Sequence, residues 1–169
     1  AGAALAEDEE LDELARAFGW NFAAARITSE PLADGLHVLF GIGGNVLGSI
    51  GSSGVLIVGN PFPQLVPQIR NTIGELGGGA IDFAINTHWH FDHADGNKVL
   101  GPAGTWLVAH ENSRAMMLEE HVINLVAMEY RQKPYPERAR PVITYDDAMR
   151  FHFNGDQVEL LYFGPAHTT

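Results

Sequence analysis

The sequence predicts an α/β protein built on a mixed sheet with helices on its outer face. Two observations carry that prediction. Residues 37–61 read HVLFGIGGNVLGSIGSSGVLIVGNP, three apolar runs cut by glycines, which is the signature of a strand meander with tight turns. Beyond Phe62, helical spacing and short apolar strands alternate, the pattern of an α/β sheet rather than of an all-β barrel. No internal repeat or low-complexity segment interrupts either part.

Each element has its own reason. Leu11, Leu14, Ala15 and Phe18 fall at helical spacing, so residues 8–18 read as an amphipathic helix within an N-terminal extension, residues 1–34. In the body, residues 35–169, the run GVLIV is a short strand apolar on both sides. Leu65, Ile69, Ile73 and Leu76 form a helical stripe over residues 62–76, ended by Gly77 to Gly79. AIDFAIN is the next strand, followed by a short helix near residues 96–100 and the strand TWLVAH. Residues 111–130 carry helix formers throughout and predict a helix. KPYPERARP is punctuated by proline, and no helix should cross it. MRFHF and VELLYF are strands joined by the turn NGDQ, a hairpin signal.

Composition narrows the function classes. The 169 residues carry a net charge of −11, with six of 21 acids inside Glu7 to Glu13. That block reads as the solvated start of a helix, where carboxylates favour the positive end of the dipole. An acidic chain without a basic cluster argues against nucleic acid and against an anionic membrane surface as partners. No apolar run approaches the roughly 18 residues of a membrane span. Cysteine is absent, so there is neither a disulfide nor a thiolate ligand. The opening AGAALA reads as the remnant of an export signal or pro-segment, which leaves a periplasmic or secreted compartment and the cytoplasm both open.

The chemistry concentrates in INTHWHFDHADGN, residues 85–97, with His88, His90, Asp92 and His93 inside six positions. The segment leaves the C-terminal end of a strand, a usual place for functional groups in α/β proteins. In extended backbone, residues two apart share a side, so His88 and His90 can converge on one ion. Asp92 and His93 lie further round the turn and suit a second ion better than the first. Trp89 and Phe91 alternate with these groups and read as packing beneath them. There is no Gly-x-Ser-x-Gly elbow and no phosphate-binding Gly-Lys loop.

THWHFDH resembles the His-x-His-x-Asp-His signature of the metallo-β-lactamase superfamily. The resemblance runs from about residue 35 to 169 and takes in GIGGNVLGSIG, GVLIV, VAHEN and GPAHT. It implies a four-layer αβ/βα sandwich, of which this chain would be the N-terminal half. It also implies one or two zinc ions, or iron. His88, His90 and His167 match the ligands of a first ion, and Asp92 and His93 those of a second. His93 is similar to the pattern of subclass B3 enzymes and glyoxalase-II-like hydrolases, whereas a chain without cysteine does not match subclass B1. His110 sits at a family-typical position without being a ligand. The implied reaction is hydrolysis of an amide, ester or thioester of a small-molecule substrate by metal-bound hydroxide, with Asp92 orienting the nucleophile. A non-catalytic half-domain and an iron-dependent redox protein are the alternatives.

Two departures stand against the resemblance. Many relatives place an aspartate after the strand corresponding to GVLIV, whereas this chain reads Gly59-Asn60-Pro61. The family's bridging aspartate and last histidine belong to a second half that the sequence does not contain. The near-continuous runs VLIV and LLYF therefore predict an apolar sheet face open to a partner: the missing C-terminal half or a second copy of the chain.

Overall fold

The computed structural model describes residues 9–125 and 128–168. The start of the acidic block, AGAALA, Val126, Ala127 and Thr169 lie outside the described residues.

Seven strands form one mixed sheet. The first five are β1 (Thr28–Ala33), β2 (Leu36–Phe40), β3 (Val46–Gly51), β4 (Gly54–Val58) and β5 (Phe83–Ile85). β6 (Trp106–His110) and β9 (Ile143–Tyr145) complete it, in the order β1-β2-β3-β4-β5-β6-β9. β1 to β4 are antiparallel neighbours, and β4, β5, β6 and β9 run parallel. The glycine-cut meander is thus the antiparallel part, and the alternating region supplies the parallel part. Two hairpins stand apart from this sheet: β7 (His121–Asn124) with β8 (Glu129–Gln132), and β10 (Ala148–Phe153) with β11 (Asp156–Leu161).

Helix α1 (Glu9–Phe18) buries Leu11, Leu14 and Ala15 of the stripe its spacing predicts, while Phe18 at the helix end stays exposed. A 3-10 turn (Pro63–Leu65) leads into α2 (Val66–Glu75). Gly77 at φ +87° ends α2, and the Gly78 N–H reaches back to the Ile73 carbonyl at 2.8 Å, closing the helix in a Schellman arrangement. Two single turns, α3 (Phe91–Ala94) and α4 (Asn97–Leu100), follow β5, and α5 (Glu111–Met116) follows β6.

The central strands are buried on both faces. Val55, Ile57, Ala84 and Leu107 join Leu11, Leu14, Val66, Ile69 and Ile73 in the main core, on the helix side. Their alternates Leu56, Ile85 and Val108 form a second core with Phe153, and Met149, Phe151, Val158 and Leu160 pack against it. The period-two split explains why GVLIV is apolar at every position. No helix of the described residues is long and apolar enough to cross a membrane.

Four sequence expectations need correction. The helix predicted over residues 111–130 stops at Met116, and the chain turns into the β7–β8 hairpin. Ile123, Tyr130 and Gln132 point inward while Val122, Glu129 and Arg131 face out, a period of two that helix propensity hides. The Glu10 carboxylate accepts the Arg131 N–H at 2.9 Å, so α1 holds this hairpin. β1 was not expected: it lies in the extension, carries Pro31 and is largely exposed, as an edge strand can be. The Asp34-Gly35 turn joins β1 to β2, so β1 is continuous with the sheet. The three-residue β9 was also not expected, and the proline-rich loop holds one 3-10 turn (Glu137–Ala139). Finally, LLYF is not covered on both sides. Leu160 packs on the sheet, but Leu161 is 51% and Phe163 90% exposed, because the β10–β11 hairpin itself covers the sheet's second face.

Candidate metal centre

The site begins where β5 ends. The Asn86 N–H continues the strand ladder to the Val108 carbonyl, 2.8 Å, and the Gly59 N–H does the same to Ile85, 2.8 Å. Beyond that ladder the chain bends through residues 87–89 and is extended at His90. Trp89 and Phe91 turn into the core at 6% and 2% exposure, while His88 and His90 turn out. His90 then caps α3, whose single turn brings Asp92 and His93 back beside His88. The His88 and His93 ring centroids are 4.4 Å apart, and His93 Nε2 lies 3.3 Å from Asp92 Oδ2.

His167 arrives from a distant part of the chain. It follows β11 through Gly164, whose φ of +100° turns the backbone in a way only glycine adopts readily. Its ring centroid lies 5.3 Å from that of His88 and 5.0 Å from that of His90. Two trios result: His88, His90 and His167, and His88, Asp92 and His93, each with ligand atoms all within 4.8 Å of one another. All five residues the sequence singled out are brought together. His88 stands in reach of both sets, a sharing that spacing alone did not show.

The donor set fits a borderline cation such as zinc. Nε2 of His88 is buried without a hydrogen-bond partner, while Nδ1 is 3.1 Å from the Thr87 hydroxyl. A buried nitrogen left unpaired in this way is costly unless something is bound there. Burial, then the neighbouring His93 and His90 rings, push the His88 pKa down to about 4. Burial and then His167 push His90 down to about 4. Both imidazoles are thus neutral at pH 7, the state a metal ligand requires. Burial alone would raise the Asp92 pKa, but the hydrogen bond and charge of His93 outweigh it and hold the carboxyl below its usual range.

Beneath the site lies a polar cluster that sequence reasoning saw only in part. Asn60 and Asn97 are 0% exposed and Asn86 1%. Asn97 Nδ2 donates to Asn86 Oδ1 at 2.8 Å, and Asn97 Oδ1 accepts from Asn86 Nδ2 at 3.1 Å and from Asn60 Nδ2 at 2.9 Å. The Asn60 N–H also bonds the His93 carbonyl at 3.0 Å. Asn60 therefore supports the metal segment by hydrogen bonds without bringing a charge. Asn86 and Asn97 were missed; Asn86 ends the apolar run FAI, but Asn97 follows Asp95-Gly96 and carries no such signal.

The other histidines lie outside the two trios. His110 caps α5: its Nδ1 accepts the Asn112 N–H at 3.1 Å, so Nε2–H donates to the Asp146 carbonyl. Its ring packs on Tyr162 at 3.9 Å. His121 packs on Trp89 at 4.8 Å, His37 lies on β2, and His152 is exposed on β10. A cleft of about 300 Å³ opens beside His88 and His167, with Thr87, His110, Tyr145 and Tyr162 in its walls.

A mixed sheet delivers a histidine-rich segment from a parallel strand end, and a histidine that follows a separate hairpin meets it, giving an α/β protein with a side-chain cluster that could hold a metal. The family model of the metallo-β-lactamase superfamily matches residues 65–169, more than half of the chain, and the protein belongs to that superfamily. The solved structures that share its fold include three metallo-β-lactamases. One is a B3 metallo-β-lactamase characterised as the first with an active-site glutamic acid: TM-score 0.70, 20% identity, 92% of this chain and 57% of that one. A metallo-β-lactamase of Cronobacter sakazakii with a HARLDQ motif superposes with a TM-score of 0.65 at 19% identity, over 80% of this chain and 53% of that one. One from Pontibacter korlensis gives 0.65 at 15% identity, over 85% and 63%. The chain thus spans between half and two thirds of the length of these structures. No curated protein matches it.

Proposed function

We propose that the protein is a zinc-dependent hydrolase of amide, ester or thioester bonds. The observation that carries this reading is the meeting of His88, His90 and His167, from two distant segments, with Asp92 and His93 alongside. Zinc, when bound, supplies Lewis acidity and brings the pKa of its bound water to about 7. His88, His90 and His167 would hold a first ion, and Asp92 and His93 a second. The Asp92 carboxylate, ionised under the influence of His93, accepts a hydrogen bond from the attacking water and aims it at the carbonyl carbon. The cleft walled by Tyr145 and Tyr162 gives a small carbonyl substrate a place beside His88 and His167.

The exposure of Leu161 and Phe163 supports a further layer over the β10–β11 hairpin, contributed by a C-terminal half or by a second copy. In this reading residues 35–169 are the first half of the catalytic domain, and residues 1–34 the extension that contributes α1 and β1.

Metal content tests the reading. Protein purified without added metal should carry zinc, and the His88→Ala/His90→Ala/His167→Ala variant should lose it. Unchanged zinc in that variant rejects the ligand assignment. Iron in place of zinc would favour the redox alternative.

A further inference from the structure

The loop between β2 and β3, residues 41–45, crosses directly over α3. The Gly44 N–H donates to the Asp92 carbonyl at 3.3 Å. A Cβ built on Gly44 would stand 2.6 Å from both Cε1 and Nδ1 of His93, and 3.3 Å from the Asp92 carbonyl oxygen. No real Cβ tolerates the first distance. Gly43 has φ +84° and is glycine for backbone reasons, but Gly44 is not among the residues with positive φ. Its backbone would accept alanine, so what its missing side chain provides is room, and the imidazole of His93 fills that room.

The opposite side of His93 is fixed as well. The Asn60 N–H holds the His93 carbonyl, and the Gly96 N–H holds the Asn60 carbonyl, both at 3.0 Å. The backbone of α3 therefore cannot retreat from a side chain at position 44. A ring can rotate about two torsions, whereas this clamped turn cannot slide, so any conflict at position 44 resolves by turning the His93 ring.

We propose that Gly44 is the positioning residue for His93. Its bare Cα is the seat on which the imidazole rests, and the β2–β3 loop thereby sets the second-ion site. The inference rests on the reading of Asp92 and His93 as second-ion ligands. It assigns to the glycine-rich loop a role in metal occupancy beyond that of a strand turn.

The test compares Gly44→Ala with Gly48→Ala in the full chain. Position 48 is a control in the adjoining strand, where an added Cβ meets nothing closer than 3.5 Å. In the metal-free protein, Gly44→Ala should move the His93 Cε1–H resonance and leave those of His90 and His167 in place. In zinc titrations followed by equilibrium dialysis, it should weaken the second ion by about 10–100-fold, the usual effect of disturbing a ligand's support, and leave the first unchanged. Gly48→Ala should do neither. If Gly44→Ala loses stability, adding His93→Ala should recover it, because the ring is the conflicting group. An unmoved His93 resonance, or a stability loss that His93→Ala does not relieve, overturns the inference. A wild-type chain that binds no zinc overturns the hydrolase reading instead, and the ring resonance and the double variant still decide the role of Gly44.

Discussion

Replacing Asn97 by alanine removes the hub of the asparagine cluster. Three buried polar groups lose their partner: Asn60 Nδ2, Asn86 Nδ2 and Asn86 Oδ1. Both asparagines are at or below 1% exposure, so bulk water cannot replace what is lost. Each orphaned group costs about 1–3 kcal/mol. The vacated space accommodates about one water, which restores part of the bonding. Alanine is also the better helix former in α4, recovering about 0.5 kcal/mol. The expected net loss is about 3–4 kcal/mol, a large share of the roughly 5–15 kcal/mol that holds a typical domain together. Urea unfolding of the metal-free protein measures it as a lower midpoint at unchanged slope. In a double-mutant cycle with Asn60→Ala, the two losses should fall short of additive by about 1 kcal/mol, since they share one hydrogen bond. A loss under about 1 kcal/mol, or strict additivity, would refute the claim that this cluster supports the floor of the site.

Acid provides a second test. His88 and His90 titrate near 4 when folded and near 6.5 when unfolded, so the unfolded chain binds more protons between those values. Stability of the metal-free protein should therefore fall as pH drops from about 6.5 to 4, and His88→Gln/His90→Gln should flatten that fall in urea titrations; an unaltered pH profile would contradict it. Phe153 meets Phe83 edge-on at 5.8 Å inside the second core, so Phe153→Ala should cost about 3 kcal/mol by thermal or urea unfolding, and a cost below 1 would mean that the β10–β11 hairpin is not packed on the sheet. Gly101→Ala would place a Cβ 1.9 Å from the Arg138 carbonyl oxygen, a backbone conflict that should leave the variant insoluble or unfolded on expression; a soluble protein of unchanged melting temperature would show the approach to be looser than described.

The parts of this molecule legible in its sequence are those governed by short-range rules. The α1 stripe, the glycine-cut meander and the Asn154-Gly155 turn each follow from local periodicity or turn chemistry. Asn154 and Gly155 adopt φ +52° and +86°, as a tight hairpin requires. The five site residues were legible for a different reason, since few other tasks call for so many imidazoles so close together. What escaped depends on tertiary contact. The β7–β8 hairpin is strand because Ile123 and Tyr130 find the core and Glu10 finds the Arg131 N–H, contacts that outweigh helix propensity. β1 and β9 exist because β2 and β6 offer them an edge. The burial of Asn86 and Asn97 is visible only once β5 and α4 are packed.

The β10–β11 hairpin is fixed at both ends in different ways. At its turn, Asn154 accepts the Ser53 N–H at 2.8 Å and donates to Ser49 Oγ at 3.0 Å and to the Gly54 carbonyl at 3.2 Å. At its exit, the strand leads to His167, whose ring lies beside the imidazoles of His88 and His90. An ion bound as proposed would join segments about eighty residues apart, acting as a reversible cross-link; a covalent closure of that length is worth about 4–5 kcal/mol. Its removal by a chelator would free the segment after β11, while Asn154 and the apolar packing of Phe151, Phe153 and Leu160 keep the hairpin on the sheet. A protease would then cut first in residues 162–168, and zinc would protect them.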